Sequence, residues 1–150
     1  MKPKNLISYI SSLKALLSLD NKGNKLPKNI KNHEVTTLGK LCDLFLLNGL
    51  NRQGFEGFYF NYSIKKISKE FDILRFSDDL VINIEMKTNS DKNDKYADIL
   101  NQMQKNFYYL KSLGKKIEIF SFLEDEGFFK YVSNVGEMVS VTVVKFAFVY

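Results

Sequence analysis

Apolar residues recur along the chain with two different spacings, one typical of helices and one typical of strands. Between residues 4 and 19, and again between about 34 and 48, they recur every three or four positions, which predicts amphipathic helices. A third helix is predicted from Lys95 to Leu113, where Gly114 ends it. Short apolar or alternating runs rich in β-branched and aromatic residues predict strands over 58–64, 71–76, 80–87, 116–123, 128–132 and 139–149.

This order of elements predicts an α/β fold built on a mixed central sheet. Three consecutive strands would form a meander, and the third helix would return the chain to a neighbouring strand, with helices on both faces. We expect one domain with an N-terminal helix and basic loop (1–33), a core (34–123) and additional strands (124–150). The last five residues form an apolar run without a polar tail. That run indicates either a chain cut from a longer protein or a final strand clamped in the sheet or at an interface.

Two neighbouring strands carry the residues best suited to chemistry. Asp72 lies in the second predicted strand, and Glu85 and Lys87 end the third. Because side chains alternate along a strand, Glu85 and Lys87 share one face, and Asp72 can reach them from the next strand. Two acids and a lysine that converge can bind a divalent cation and handle a water molecule. The alternative is a solvated acid beside a surface ion pair of little energetic weight.

Composition narrows the class of protein. A chain of 150 residues with 45% hydrophobic content can bury the core of a single domain. The single cysteine, Cys42, excludes an internal disulfide and a cysteine-based zinc cluster, and favours a reducing, cytoplasmic setting. No stretch approaches the ~20 apolar residues of a membrane span. The formal net charge of +5 favours a polyanionic partner such as nucleic acid.

With these residues in order, the chain resembles the PD-(D/E)XK nuclease superfamily, whose restriction-endonuclease-like fold has an αβββαβ core. Asp72 and the Glu85-x-Lys87 motif carry the resemblance, which covers roughly residues 34–123. The chain departs from the pattern in having no proline before Asp72. An N-terminal helix would be an addition to this core.

Two further segments extend the resemblance. Gly39 to Asp43 resembles a Gly-x-x-x-acid signature on the preceding helix, and Gln104 to Tyr108 resembles the Gln-x-x-x-Tyr signature of the RecB-like branch. A polar stripe on the third helix, which also carries Lys111, selects Gln104 and Tyr108 as the pair that could face the site, and leaves Gln102 on the opposite flank.

The resemblance implies a metal-dependent nuclease that hydrolyses phosphodiester bonds in nucleic acid, with DNA favoured over RNA as the substrate. The implied ligands of Mg²⁺ or Mn²⁺ are Asp72, Glu85, the backbone carbonyl of Met86 and, with less support, Asp43. Lys87 would orient or help deprotonate the attacking water, and Gln104 would contact a phosphate or support Lys87. Tyr108 and Lys111 would bind the nucleic acid.

Several of these assignments have alternatives. Asp43 could instead cap a helix or pair with a lysine, and Tyr108 equally fits a polar boundary between core and solvent. His33 stands in a lysine-rich loop and is expected to be simply exposed. A run of lysines could grip phosphates, although a solvated face is the commoner role: Lys22, Lys25, Lys28, Lys31, Lys65, Lys66 and Lys69.

Two rival functions come from other classes. The chain could be a non-catalytic module that keeps the nuclease fold and binds nucleic acid or a protein, or a small interaction protein with a coincidental motif. Members of the superfamily act as dimers or as one domain of a larger machine, so a homodimer or a helicase-type partner also fits the sequence.

Overall fold

The computed structural model describes residues 1–20, 31–49, 52–87 and 94–141. Within these ranges there are three α-helices, α1 (Leu6–Asp20), α2 (Asn32–Leu47) and α3 (Lys95–Leu110). The strands are β1 (Phe58–Ile64), β2 (Lys69–Phe76), β3 (Leu80–Lys87), β4 (Lys116–Leu123), β5 (Gly127–Val132) and β6 (Glu137–Val141). Single 3₁₀ turns cover Arg52–Phe55, Lys65–Ile67 and Lys111–Leu113.

The predicted elements are confirmed, with shifts at their ends. β1, β3 and β4 have the predicted bounds, and β2 begins at Lys69, two residues earlier than expected. α1 begins only at Leu6, because Lys4 forms a backbone bridge with Phe58 and the Asn5 side chain accepts the backbone N–H of Ser8 at 3.0 Å. The predicted end of the last strand and the lysines at 22, 25 and 28 lie outside the described residues.

The six strands form one mixed sheet in the order in which they occur along the chain. β1, β2 and β3 are an antiparallel meander, β3 and β4 are parallel, and β5 and β6 continue the sheet antiparallel. A parallel pair needs a crossover connection, and α3 provides it. The prediction of a meander followed by a helical return is confirmed.

Helices cover both faces of the sheet, as expected. α1 and α2 pack on one face, where Leu41 and Phe45 meet the sheet residues Ile84 and Phe122. α3 packs on the other face, where Met103 is one of the buried side chains. On this second face the sheet contributes Phe71, Leu74, Val81, Ile119 and Leu123. The result is a three-layer α/β/α arrangement in which the apolar residues of β3 and β4 follow the period-2 alternation of strands. In β2 the alternation is interrupted, because Ile73 belongs to the first cluster and Phe71 to the second.

The sheet loses its regularity at one point, and that point positions the candidate site. Phe60 pairs with Ile73 and Tyr62 with Phe71, but the intervening pair of Asn61 and Asp72 is missing from the ladder. Asn61 adopts φ 51°, a left-handed conformation that few residue types other than glycine and asparagine tolerate. On the other side of β2, the ladder with β3 extends from Phe76 only to Ile73, so Asp72 lies just beyond its last pair.

Candidate functional site

A cavity with a volume of about 400 Å³ lies beside the end of the β2–β3 ladder. α2 reaches it from one side of the sheet and α3 from the other. Its wall includes Asp72 of β2, with Glu85, Met86 and Lys87 of β3. The structure therefore brings together the two acids, the lysine and the methionine that the sequence motif predicted as neighbours.

Asp72 links the two strands where the backbone ladder stops. Its Oδ2 atom accepts the backbone N–H of Met86 at 2.9 Å, so the side chain makes a contact that a ladder carbonyl would otherwise make. Burial and, after it, the charge of Glu85 raise the pKa of Asp72 from 3.8 to about 7, against the opposing effects of the Met86 N–H and Lys87. This carboxyl therefore keeps a proton to a higher pH than an exposed aspartate does, unless a cation compensates its charge.

Glu85 is 2% exposed and is surrounded by hydrogen-bond donors. Its Oε1 atom accepts Nδ2 of Asn83 at 2.9 Å and the backbone N–H of Asp72 at 3.4 Å. Its Oε2 atom accepts Nε2 of Gln102 at 3.0 Å. A carboxyl group this deeply buried needs such donors, because an unpaired buried polar group costs free energy.

The donors are themselves held by a second buried layer. Asn83 and Asn106 are both 0% exposed. Nδ2 of Asn106 donates to Oδ1 of Asn83 at 2.8 Å, and Nδ2 of Asn83 also donates to the backbone carbonyl of Ile73 at 3.1 Å. Among the described residues, Oδ1 of Asn106 has no hydrogen-bond partner, which costs about 1–3 kcal/mol. Apolar side chains at these positions would not carry this free-energy cost. We therefore assign the network to the site rather than to the core.

Acidic side chains outnumber basic ones at the cavity. Among the described residues on its wall, Glu34 and Glu70 join Asp72 and Glu85, and Lys87 is the one lysine. His33 also lines the cavity and, as expected from the sequence, its side chain is exposed. An acidic cavity with two buried carboxyl groups fits a bound cation, because a positive charge would remove their mutual repulsion.

The carboxyl oxygens suit a hard divalent cation. Asp72 and Glu85 supply carboxyl oxygens of the kind that hold Mg²⁺, which keeps several waters and takes one or two carboxylates, and Met86 lies beside them on the cavity wall. Among the described residues there is no group of three or more histidine, cysteine, aspartate or glutamate side chains that could hold a metal ion. The available ligands therefore fit a partly hydrated cation rather than a closed structural site.

On α3 the predicted orientation is wrong. Gln104 is exposed and donates to the backbone carbonyl of Gly136 at 3.2 Å, on the turn before β6. Gln102, which was expected on the opposite flank, reaches Glu85 instead. The buried stripe of α3 includes Asn106, and because residues four apart share a helix face, Gln102 lies above the same part of the sheet.

Tyr108 and Lys111 lie outside the cavity. Tyr108 is 65% exposed, and Nζ of Lys111 lies 4.7 Å from the centre of its ring. Their predicted contact with nucleic acid is not tested by this geometry, but it would not take place in the cavity itself.

On α2 the predicted acid is also misplaced. Asp43 is exposed and does not line the cavity, because α2 turns Leu41, Cys42 and Phe45 to the core. The expectation that Asp43 sits in an apolar setting and reaches the metal is therefore wrong. Glu34, in the first turn of α2, reaches the cavity in its place.

Sequence reasoning missed further residues of this site, on the cavity wall and in the buried network beside it: Glu34, Thr37, Asn61, Glu70, Gln102, Asn83 and Asn106. A signal for one of them was present. Asn83 interrupts an otherwise apolar run, two positions before Glu85 and on the same strand face. A buried amide at that spacing indicates a partner for the carboxyl group.

No protein-family model, no curated protein and no solved structure matches this chain. The resemblance to the PD-(D/E)XK superfamily therefore rests on the motif residues and stays a prediction. In the part of the chain that the structure describes, no helix is long and apolar enough to cross a membrane.

Proposed function

We propose that this protein is a metal-dependent nuclease that hydrolyses phosphodiester bonds in nucleic acid, with DNA as the expected substrate. The observation that carries the proposal is the meeting of Asp72 and Glu85 beyond the end of the β2–β3 ladder, with Lys87 on the same cavity wall. Two acids and a lysine at one cavity are what the Asp…Glu-x-Lys motif requires for this chemistry.

The element order supports the same proposal. α2, the β1–β3 meander, α3 and β4 follow one another as helix, three strands, helix and strand, the order that the resemblance implies for a restriction-endonuclease-like core. α1, β5 and β6 are then additions to that core.

Asp72, Glu85 and the Met86 carbonyl would hold Mg²⁺ or Mn²⁺. When bound, such an ion lowers the pKa of a water molecule and offsets negative charge on the phosphate. Lys87 would direct its ammonium group toward the scissile phosphate and the attacking water, and so stabilise the charge that develops as water attacks phosphorus in line. Asp72 and Glu85 would give up any shared proton on binding the ion.

Nucleic acid as the substrate is supported by a second, basic cleft. This cleft has a volume of about 450 Å³ and is lined in part by the aromatic residues Phe107 and Tyr131. Four lysines line it, namely Lys111, Lys115, Lys116 and Lys130. Among the described residues on its wall none is acidic. Lysines beside partly exposed rings of this kind suit a phosphate backbone and its bases.

The test is Mn²⁺-dependent cleavage of labelled single-stranded DNA, duplex DNA and RNA by the parent, Asp72→Ala and Lys87→Ala. Both substitutions should abolish cleavage, while Lys105→Ala, which removes an exposed lysine on α3, should not. Equal cleavage by the parent, Asp72→Ala and Lys87→Ala would refute the mechanism.

A second candidate is a module that binds nucleic acid without cutting it. It is favoured by the finding that two signature positions, Asp43 and Gln104, lie away from the cavity. Tight DNA binding by the parent, with no cleavage of any substrate in Mg²⁺ or Mn²⁺, would favour this candidate.

A further inference from the structure

The hydrogen bonds to Glu85 leave few of its acceptor positions available. An ionised carboxylate offers about four lone-pair positions on its two oxygens. Oε1 uses two of them for Asn83 and for the backbone N–H of Asp72. Oε2 uses one for Gln102. Among the described residues no further contact is made, and the position that is left belongs to Oε2.

We propose that Gln102 and the Asn83–Asn106 pair are positioning residues that make Glu85 a one-oxygen ligand, and that they thereby give the cavity a preference for Mg²⁺ or Mn²⁺ over Ca²⁺. The inference rests on the proposed function, because it assumes that the cavity binds a divalent cation. It goes beyond that function by assigning cation selectivity to three amide side chains.

The burial of the amides explains why Glu85 cannot readily turn. Asn83 is fixed by its hydrogen bonds with Ile73 and Asn106. Asn106 belongs to α3 and is fully buried between that helix and the sheet. Gln102 holds the other oxygen from the same helix. A bidentate contact would require the carboxyl group to turn, which breaks the Gln102 bond at Oε2 and at least one bond at Oε1 inside the protein. Without Gln102 the carboxyl group is restrained at Oε1 alone, so it turns at the cost of one bond fewer.

The two classes of cation respond differently to this restraint. Ca²⁺ takes six to eight oxygens and commonly uses both oxygens of a carboxylate, whereas Mg²⁺ is smaller and is satisfied by single carboxylate oxygens and waters. A Glu85 that offers one oxygen therefore removes a ligand from Ca²⁺ without removing one from Mg²⁺ or Mn²⁺.

The experiment is calorimetric titration of the full chain with Mn²⁺, Mg²⁺ and Ca²⁺, comparing the parent with Gln102→Leu. Residues that hold a metal ligand typically change metal affinity about 10–100-fold when substituted. We expect Gln102→Leu to weaken Mn²⁺ binding by about 10-fold while Ca²⁺ binding holds or improves, so that the Mn²⁺/Ca²⁺ affinity ratio contracts by at least as much.

Two controls separate positioning from structure. Gln104→Leu changes a glutamine two residues further along α3 that contacts Gly136, and it should leave the ratio unchanged. Cys42→Ala removes a buried side chain of α2 that is not among the described residues on the cavity wall, and it should also leave the ratio unchanged. Asn83→Leu and Asn106→Leu should contract the ratio if they fold, while partly exposed Gln102 keeps the test decisive if they do not.

The outcomes are distinguishable. If the parent binds Mn²⁺ through Asp72 and cleaves DNA, but Gln102→Leu has the parent's affinity ratio, the inference fails and the proposed function stands. If the parent binds no Mn²⁺, or if binding survives Asp72→Ala, the cation site fails and both fall together.

Discussion

At the scale of single residues, the two acids of the cavity are held in different ways. Among the described residues, three N–H groups donate to the almost wholly buried Glu85, whereas one N–H group, that of Met86, donates to Asp72. Asp72 therefore lacks the compensation that its neighbour has, and burial together with the charge of Glu85 raises its pKa to about 7. Of the two carboxyl groups, Asp72 is thus the one whose ionisation burial opposes without matching hydrogen bonds.

This asymmetry predicts how stability depends on pH in the absence of a cation. Because the folded-state pKa of Asp72 is raised to about 7 from 3.8, the folded protein binds more protons than the unfolded chain between these values, and stability falls as pH rises through that window. Asp72→Asn cannot ionise, so its free energy of unfolding should exceed that of the parent by an amount that grows from pH 4 to about 7, to at most about 4 kcal/mol.

Urea denaturation at a series of pH values measures this difference. Asp125→Asn, on the exposed turn between β4 and β5, is the matched control and should track the parent. A difference between Asp72→Asn and the parent that is constant with pH would contradict the raised pKa.

Cation binding should show the opposite trend with pH. A proton on Asp72 competes with a divalent cation, so Mn²⁺ affinity should increase as pH rises from about 5 through about 7 and then level off. Titration calorimetry in two buffers of different ionisation enthalpy would also detect protons released on binding below pH 7. Binding that is independent of pH, with no proton release, would rule out Asp72 as the ligand.

Residue-level prediction from sequence succeeded for the strands and failed for the helices, for a physical reason. The period of a strand assigns Glu85 and Lys87 to one face without ambiguity. Gln102 and Gln104 differ by roughly 200° around α3, and both flank its apolar stripe, so the sequence alone leaves open which of them meets the sheet. Only the packing of α3 against β3 decides in favour of Gln102.

At the scale of elements, the break in the sheet is what makes room for the cavity. Asn61 of β1 has a left-handed backbone opposite Asp72, and both residues line the cavity. Strained backbone of this kind costs of order 1–3 kcal/mol and tends to be kept at functional positions. The bounds of β1 were predictable because Gly57, at φ 84°, marks its start, but the missing Asn61–Asp72 pair depends on register between strands and leaves no local signal.

Substitutions at Asn61 test the importance of this break. Asn61→Gly tolerates a positive φ and should keep the stability of the parent within about 1 kcal/mol, whereas Asn61→Val should lose about 1–3 kcal/mol because a β-branched residue is strained there. If the valine variant relaxes to a regular strand, Asp72 should also lose its contact with Met86, and Mn²⁺ affinity should fall. Denaturation and titration of both variants measure these effects, and equal values for the two would show that the conformation of Asn61 does not matter.

At the scale of the whole molecule, opposite charges collect at opposite ends of the sheet. The acidic cavity lies at the carboxyl end of β3, at Glu85 to Lys87. The basic cleft lies at the start of β4, where Lys116 pairs with Leu80 at the other end of β3. Five residues of strand separate Leu80 from Glu85, or roughly 17 Å at about 3.3 Å per residue. A nucleic acid that reached both would need to span about five nucleotides of a duplex strand at ~3.4 Å each.

Removing charge from the cleft should therefore weaken DNA binding without affecting the cation site. For the double variant Lys111→Ala with Lys116→Ala, we expect weaker binding of a duplex of about 20 base pairs, and a salt dependence of log K reduced by about 1–2 units, because each lysine neutralises about one phosphate. Lys2→Ala with Lys105→Ala removes the same charge from exposed positions outside the cleft, and should change binding much less.

Fluorescence anisotropy over a range of salt concentrations measures both slopes, and Mn²⁺ titration checks that the cavity is intact. If the two double variants weaken binding equally, the net charge of +5 attracts DNA as a whole and the cleft has no special part in it.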